Sequence, residues 1–209
     1  MRHSLKAEGF GVRLRPVRMD DAAFIVWLRH LDHVKGKLGD SAADVASQEA
    51  WLNTYFEREG DYYFIVETAG GIPVGTHGIY GVTGTRAESG RFIIRPEVPA
   101  AVPTSVLSLD LVFKRMGIRE LWATSVASNQ SLHSYIRKLG CRQVKTEISG
   151  RVIDGKPVDI LHFVQTPEDW FKVRESAVAM ARFAEIKIRD WEQAQLRIRD
   201  LRLPETKPY

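Results

Sequence analysis

The chain has 209 residues, of which 44% are hydrophobic and 27% charged, and its formal net charge is +4. These values are typical of one globular domain with an appendage, and a single cysteine excludes a disulfide framework or a cysteine-only metal site. No run resembles a signal peptide, a membrane span of about 20 apolar residues or a basic nucleic-acid tract, so we expect a cytoplasmic protein with no membrane or nucleic-acid partner.

The first part of the chain predicts one strand and two helices. Alternating apolar residues predict a strand at 12–17, and Asp20 or Asp21 can cap a helix that follows it. Residues 32–46 look irregular, and a second helix runs from Ser47 to Gly60. The apolar faces of the two helices are Phe24, Ile25, Trp27, Leu28 and Leu31, and Trp51, Leu52, Tyr55 and Phe56.

The middle of the chain predicts three strands and a helix. Residues 62–68 and 74–82 form a hairpin, and residues 86–95 form the next strand, which ends at Pro96. Residues 97–103 contain Pro99 and Pro103 and are expected to be a loop. Dense apolar residues then predict a helix over 104–116.

The block 117–141 predicts a strand and a helix. Alternation over 121–127 after Gly117 indicates the strand, and Asn129 or Ser131 can cap the helix, which ends at Gly140. Two further strands, 141–149 and 158–165, are joined by a turn at 154–157.

The tail, residues 166–209, predicts a long amphipathic helix after a domain at 1–165. Thr166 is the expected cap, with Pro167 at the first helical position and Asp169 at the third. A helix of about 35 residues is about 50 Å long and would overhang a small domain. Its apolar stripe is buried either against the domain or between copies, and we expect a homodimer through residues 168–202. The stripe comprises Trp170, Val173, Ala177, Met180, Ala184, Ile188, Trp191, Ala194, Ile198 and Leu201.

Several local motifs carry a family resemblance. Asn129 followed by Lys138-Leu139-Gly140, and Ala87-Glu88-Ser89-Gly90 followed by Ile94 and Pro96, resemble segments of the GNAT superfamily of acyl-CoA-dependent N-acyltransferases. The predicted order β-α-α-β-β-β-α-β-α-β-β is also the order of that fold. The resemblance implies an α/β (α+β) fold with a mixed, mostly antiparallel central sheet, flanking helices and, here, a long C-terminal helix.

A narrower resemblance concerns the acceptor. Residues 27–30 (WLRH) and 47–52 (SQEAWL) resemble enzymes that N-acetylate nucleotide-linked amino sugars in surface-glycan pathways. The resemblance implies acetyl-CoA as co-substrate and a small amine as acceptor. The side chains expected to line the acceptor side are Arg29, His30, Trp51 and Tyr80. Arg29 would suit a diphosphate, and the alternative for Trp51 is that it packs its helix onto the sheet.

The resemblance also implies a cofactor site. Backbone groups of Phe92, Ile93 and Ile94 would pair with the pantetheine arm, and Asn129 would contact CoA unless it only caps its helix. The family's phosphate loop is rich in glycine, but the matching residues 99–104 contain no glycine and two prolines, which lack N–H donors. Thr104 and Ser105 could supply hydroxyls in a remodelled site. The alternative is a chain that retains the fold without the cofactor.

Candidates for proton transfer follow from the same resemblance. Glu88 is the leading candidate for the base and His77 the second, although both could be structural. Ile136 occupies the slot where relatives carry a Tyr acid, so we expect the adjacent Tyr135 to be core or substrate wall. His133 is expected to face outward on its helix. No cluster has metal-ligand spacing, so we expect no metal.

Two functions of different class remain open. The first is an acetyl-CoA-dependent N-acetyltransferase. The second is a non-catalytic module with the same fold that assembles through its C-terminal helix. The missing glycines and the missing Tyr favour the second, whereas the intact strand order, Asn129 and Glu88 favour the first, which is the function that we expect.

Overall fold

The computed structural model describes residues 2–34, 37, 42–153 and 155–202, with side chains given to residue 198 at the C-terminal end. The strands are β1 Ala7–Gly9, β2 Val12–Pro16, β3 Tyr62–Thr68, β4 Pro73–Thr83, β5 Arg86–Ile94, β6 Glu120–Val126, β7 Arg142–Ile153 and β8 Lys156–Gln165. The α-helices are α1 Ala22–Arg29, α2 Val45–Phe56, α3 Ala101–Asp110, α4 Gln130–Lys138 and α5 Pro167–Arg202, and Met19–Asp21 and Asp32–Val34 are 3-10 turns.

The strands form one eight-stranded sheet in the order β1-β2-β3-β4-β5-β6-β8-β7. Every neighbouring pair is antiparallel except β5 and β6, which are parallel. The predicted fold class, a mixed and mostly antiparallel sheet with flanking helices and a long C-terminal helix, is therefore confirmed.

Side chains of the central strands alternate between two cores, as period-2 patterning requires. Phe64 and Val66 of β3 face the cluster that is closed by α3 and α5. Tyr63 and Ile65 face the opposite cluster, which is closed by α1 and α2. Each face of the sheet thus has its own helical layer.

The start of α3 differs from the prediction. The helix begins at Ala101 and includes Pro103, whereas residues 97–103 were expected to be a loop. A proline fits the first turn because the N–H groups there have no intrahelical acceptor. The first intrahelical bond is donated by Thr104 N to Ala100 O over 3.0 Å.

Other boundaries differ by a few residues. The three-residue strand β1 was not predicted, because such a short segment has no periodicity to recognise. The helix α2 begins at Val45, since the Asp44 carboxylate accepts from Ser47 N over 2.8 Å. The hairpin of β7 and β8 is longer than expected. The predicted irregular stretch at 32–46, the turn residue 154 and the helix end before Pro204 lie partly or wholly outside the described residues.

The long helix α5 begins as predicted, with Thr166 and Asp169 forming reciprocal side-chain and backbone hydrogen bonds of 3.2 and 3.3 Å. It lies across the sheet beside α3, and Arg95 at the end of β5 stacks 5.1 Å from the Trp191 ring. Trp170, Ala177, Ala181 and Ile188 are fully buried against the domain. Part of the predicted stripe is therefore covered within the chain, whereas Met180, Ala194 and Ile198 are exposed. No helix in the described part of the chain is long and apolar enough to cross a membrane.

Candidate active site

The sheet opens between its two parallel strands. The β5–β6 ladder covers only three pairs, from Arg86 with Glu120 to Glu88 with Trp122. Beyond Glu88 the strands diverge, so residues 89–94 of β5 have no partner strand on that side. A cavity of about 940 Å³ occupies the gap and extends to both faces of the sheet.

A β-bulge shapes β5 at this point. Thr76 pairs with Ile93 and Gly78 with Gly90, so β5 carries one more residue than β4 between these pairs. Arg91 lies within the bulge at φ 52°, a left-handed conformation that costs energy in a residue other than glycine. The Thr76 hydroxyl donates to the Arg91 carbonyl over 2.8 Å and holds the bulge in place.

The half of the cavity between β5, β6, α3 and α4 is called the cofactor half. Its walls are largely uncharged, and they include backbone and side-chain atoms of the predicted cofactor residues. The lining residues of this half are Phe92, Ile93, Ile94, Ala101, Ser105, Ala123, Asn129, Ser131, Tyr135, Ile136 and Cys141. Thr104, by contrast, is fully buried and does not line the cavity, because α3 begins three residues earlier than predicted.

Two helix N-termini reach the cofactor half. At the start of α3, the Ala100 N–H is bound to Val98 O over 2.8 Å and Pro103 has none, so Ala101 and Val102 provide the two N–H groups without an acceptor in the described part of the chain. At α4, Asn129 occupies the N-cap position, yet its side chain makes no capping hydrogen bond. Helix N-termini attract anions through these N–H groups and the helix dipole.

Tyr135 forms part of the wall of the cofactor half. Its hydroxyl lies 2.8 Å from Ser105 Oγ, and its ring stacks on Phe92 with centroids 6.4 Å apart. Burial raises the pKa of Tyr135 and raises the pKa of the Cys141 thiol to about 12, so both groups are protonated at neutral pH. Ile136, which occupies the slot of the Tyr acid in relatives, also lines this half and cannot transfer a proton.

His77 reaches the cavity from β4. Its Nε2 lies 2.9 Å from Ser89 Oγ, and its ring contacts the Phe92 ring edge to face. Its Nδ1 is buried and has no hydrogen-bond partner among the described residues. Burial lowers the pKa of His77 to about 4, so the imidazole is neutral at pH 7.

Two other candidate residues lie outside the cavity. Glu88 is exposed at the base of the gap and is not among the cavity-lining residues. His30 is exposed as well, and its Nδ1 is bonded to Val26 O over 2.8 Å. The expectation that His133 faces outward is wrong, because the residue is 1% exposed and packs on Phe163. The strand β8 and its Phe163 cover that face of α4.

The half of the cavity between α1, α2, β3, β4 and β7 is called the acceptor half. Arg29, Trp51 and Tyr80, which were named from the sequence for the acceptor side, line this part of the cavity. Sequence reasoning missed further lining residues, namely His33, Lys37, Tyr63, Arg91 and Arg151. No local pattern marks these positions, since they come from five separate elements.

The acceptor half has a strong charge bias. Four cationic side chains line the cavity, namely Arg29, Lys37, Arg91 and Arg151, whereas no aspartate or glutamate among the described residues does. Burial lowers the pKa of Arg29, which nevertheless stays charged at neutral pH. Within the described ranges, no group of three or more His, Cys, Asp or Glu is placed to hold a metal ion.

A family model decides the classification. The model described as Acetyltransferase (GNAT) domain matches residues 12–142, which is more than half of the chain. The chain belongs to the GNAT acetyltransferase family. The matched region includes the gap between β5 and β6, both helix N-termini and His77. It ends at the first residue of β7, so the long hairpin and α5 lie beyond it.

Solved structures show the same fold. A GCN5-related N-acetyltransferase from Brucella melitensis has TM-score 0.73 and 19% identity, covering 86% of each chain. FdhC, described as a nucleotide-linked sugar GNAT, has TM-score 0.69 and 23% identity over 87% of this chain and 99% of its own. Spermidine N-acetyltransferase from Vibrio cholerae, in complex with CoA and spermine, has TM-score 0.71 and 16% identity over 78% and 99%. A comparison with curated protein sequences found no match.

Proposed function

We propose that this GNAT protein is an acetyl-CoA-dependent N-acetyltransferase whose acceptor is a small amine that also carries an anionic group. A nucleotide-linked amino sugar is the acceptor class that we favour. The observation that carries the proposal is the charge of the acceptor half, where Arg29, Lys37 and Arg151 line the cavity together with Arg91, which is paired with Asp61, and no described carboxylate lines it.

The same observation separates two acceptor classes named by similar structures. A polyamine carries several positive charges, and its binding requires carboxylates, or aromatic faces not already covered by a protein cation as those of Trp51, Tyr63 and Tyr80 are by Arg91, to replace its hydration. A sugar diphosphate carries negative charge, for which guanidinium groups such as those of Arg29 and Arg151 are suited bidentate donors. The charge of this acceptor half therefore supports the nucleotide-linked sugar and argues against a polyamine.

The cofactor half fits acetyl-CoA, which supplies the acetyl group as a reactive thioester. The unpaired edge of β5 over residues 89–94 offers backbone groups to an extended amide-containing arm. The free N–H groups of Ala101 and Val102, at the positive end of α3, suit the pyrophosphate. Ser105 and Asn129 would complete this set from the two helices.

His77 is our preferred candidate for accepting the amine proton. It lines the cavity, is neutral at pH 7 and has an unpartnered Nδ1. Glu88 would have to act over a longer path through water, because its side chain lies outside the lining. Both assignments can be separated by comparing His77→Gln with Glu88→Gln in pre-steady-state turnover.

The experiment starts with cofactor binding. The purified protein is heated with acetyl-CoA, with ATP as control, and a ligand at 100 times its Kd should stabilise it by about 2.7 kcal/mol. Thiol release and product mass are then measured with a nucleotide-linked amino sugar or spermidine as acceptor. Acetylation of the sugar alone is the expected result. Preference for spermidine would show that the acceptor class is wrong, and no acetyl-CoA binding would favour the non-catalytic module.

We also propose that the protein works as a homodimer in the cytoplasm. Support for the dimer comes from apolar side chains on α5 that the chain itself leaves in water, namely Met180, Phe183 and Ile186, with exposed fractions of 42%, 65% and 60%. Light scattering of Phe183→Glu should then give half the mass of the wild type. Phe171→Glu, on another side of the same helix, is the matched control and should stay dimeric.

A further inference from the structure

One cation in the acceptor half is enclosed by the protein itself. The Arg91 guanidinium carbon lies 4.7 Å from the Tyr80 ring centroid, 5.1 Å from that of Tyr63 and 5.2 Å from that of Trp51. Its two terminal nitrogens donate to the two oxygens of Asp61 over 2.5 and 2.8 Å. The Arg91 side chain is 18% exposed and the Asp61 side chain 7%.

The surrounding backbone is arranged to admit this side chain. A Cβ at Gly78 would lie 3.1 Å from Arg91 Cδ, so the side chain crosses β4 at a position where only glycine leaves full clearance. A Cβ at Gly90 would overlap the Tyr80 hydroxyl, which places that ring beside the guanidinium. Arg91 itself adopts φ 52°. A side chain that only covered the surface would need none of these features.

Three aromatic faces and a carboxylate are the groups that recognise ammonium and guanidinium ligands. We propose that Trp51, Tyr63, Tyr80 and Asp61 form a cation cage in the acceptor half, and that Arg91 fills it as an internal ligand and thereby excludes cationic acceptors. The consequence for acceptor choice rests on the proposed function, whereas the cage and its occupant do not depend on it.

The position of Asp61 behind Arg91 means that Arg91 determines whether a cation or a carboxylate faces the cavity at this point. Arg91 and the three rings line the cavity, but Asp61 does not, because the guanidinium stands between the carboxylate and the open space. Without the Arg91 side chain, Asp61 would be a buried carboxylate with its ion-pair partner removed, which is strongly destabilising. A free cation that binds in the space left by the Arg91 side chain would pair with Asp61 and offset this destabilisation.

The test is chemical rescue of Arg91→Ala by methylguanidinium. We expect the variant to have a lower Tm than the wild type, and methylguanidinium to raise it saturably by about 3 °C or more. The wild type should show no saturable rise, since its cage is filled. We expect spermidine to bind Arg91→Ala at least about tenfold more tightly than the wild type, consistent with cation–π and carboxylate contacts.

Arg86→Ala is the matched control. Arg86 lies on the same strand, 5.0 Å from the Trp122 ring centroid and 3.1 Å from Glu120, but its side chain is 60% exposed and no cage encloses it. Methylguanidinium should therefore not rescue this variant. Equal Tm rises in Arg91→Ala, Arg86→Ala and the wild type would overturn the proposal.

A measurement on the intact side chain covers the case in which Arg91→Ala does not fold. In the wild type, NMR should show the Arg91 Nη–H protons that bond to Asp61 in slow exchange with water and its Cδ protons shifted upfield by the three rings, with both signals absent in Arg91→Lys. Fast exchange and unshifted signals would contradict the cage. Because neither readout involves acetyl transfer, failure of the amino-sugar assay leaves the result intact, and failure of the cage leaves the assay intact.

Discussion

The two halves of the cavity are built from different groups. The cofactor half presents backbone atoms and neutral side chains, with the free N–H groups of Ala101 and Val102 and the unpaired edge of β5. The acceptor half presents long charged and aromatic side chains from separate elements. Every residue except proline carries a backbone N–H, so a cofactor half without glycines keeps most of its donors, whereas an acceptor half changes with each substitution.

The largest effect is expected where the halves meet. A Cβ in Gly90→Ala would overlap the Tyr80 hydroxyl and force this ring of the acceptor half to move. A misplacement of about 1 Å near the chemistry costs roughly 100-fold in rate, and we expect this loss in kcat/KM for the acceptor. The Kd of acetyl-CoA should stay the same. In the double variant Gly90→Ala/Tyr80→Ala, the loss in kcat/KM should be smaller than the two single losses combined, because both substitutions act through the Tyr80 ring. A fully additive loss would contradict displacement of this ring as the cause.

A substitution at α3 should change only the cofactor half. Ala101→Pro removes one of two free N–H groups at a helix position that accepts proline. Loss of one hydrogen bond to a charged group corresponds to a rise in the Kd of acetyl-CoA of roughly tenfold to 100-fold. Pro103→Ala adds an N–H in the same turn and should lower the Kd. Equal affinities in both variants would show that the pyrophosphate does not bind at α3.

A charge reversal on β7 should change only the acceptor half. Arg151→Glu places a carboxylate on the cavity wall, and we expect the KM of an anionic acceptor to rise about tenfold with kcat unchanged. The difference should shrink at high salt, since Arg151 is exposed. Lys156→Glu on the neighbouring strand lies outside the lining and is the control. Equal KM values for both variants would argue against an anion at Arg151.

The smallest effect at neutral pH concerns His77, which lies between the two halves. Its folded pKa of about 4 is below the ordinary 6.5, so the unfolded chain binds the proton more tightly. The stabilisation from the neutral ring is complete above pH 6.5 and is lost as pH falls toward 4, by roughly 3 kcal/mol. Denaturant titrations from pH 7.5 to 4 should show this loss in the wild type and a smaller one in His77→Gln. His3 and His133 remain in both proteins and cancel in the difference.

Local sequence patterns predicted most of the secondary-structure elements, and particular residues show where such patterns fail. The strand at 62–68 was predicted with its observed bounds, because it is a run of mostly aromatic and β-branched residues and turns flank it. The start of α3 was misjudged because Pro103 looks like a helix breaker outside its structural context. His133 was misjudged because a helix periodicity cannot show that β8 covers its outer side.

Only part of the candidate site was predicted, because local patterns do not show which distant residues meet. Arg29, Trp51, Tyr80, His77 and the strand 92–94 were named from sequence and all line the cavity. Arg91, Arg151 and Tyr63 were missed because nothing adjacent in the chain indicates their roles. Glu88 and His30 were named but do not line the cavity, and both are exposed to solvent.

The sequence by itself determined the order of strands and helices after β1, the start of the long helix at Thr166 and the family resemblance, because each depends on neighbours within a few residues. Only the tertiary structure decided which charges meet. Asp61, Arg91 and Tyr80 come from different strands or loops, and it is the packing of β3, β4 and β5 that brings them into one cage. Contact between residues that are distant in the chain follows from register and packing, which local periodicity does not encode.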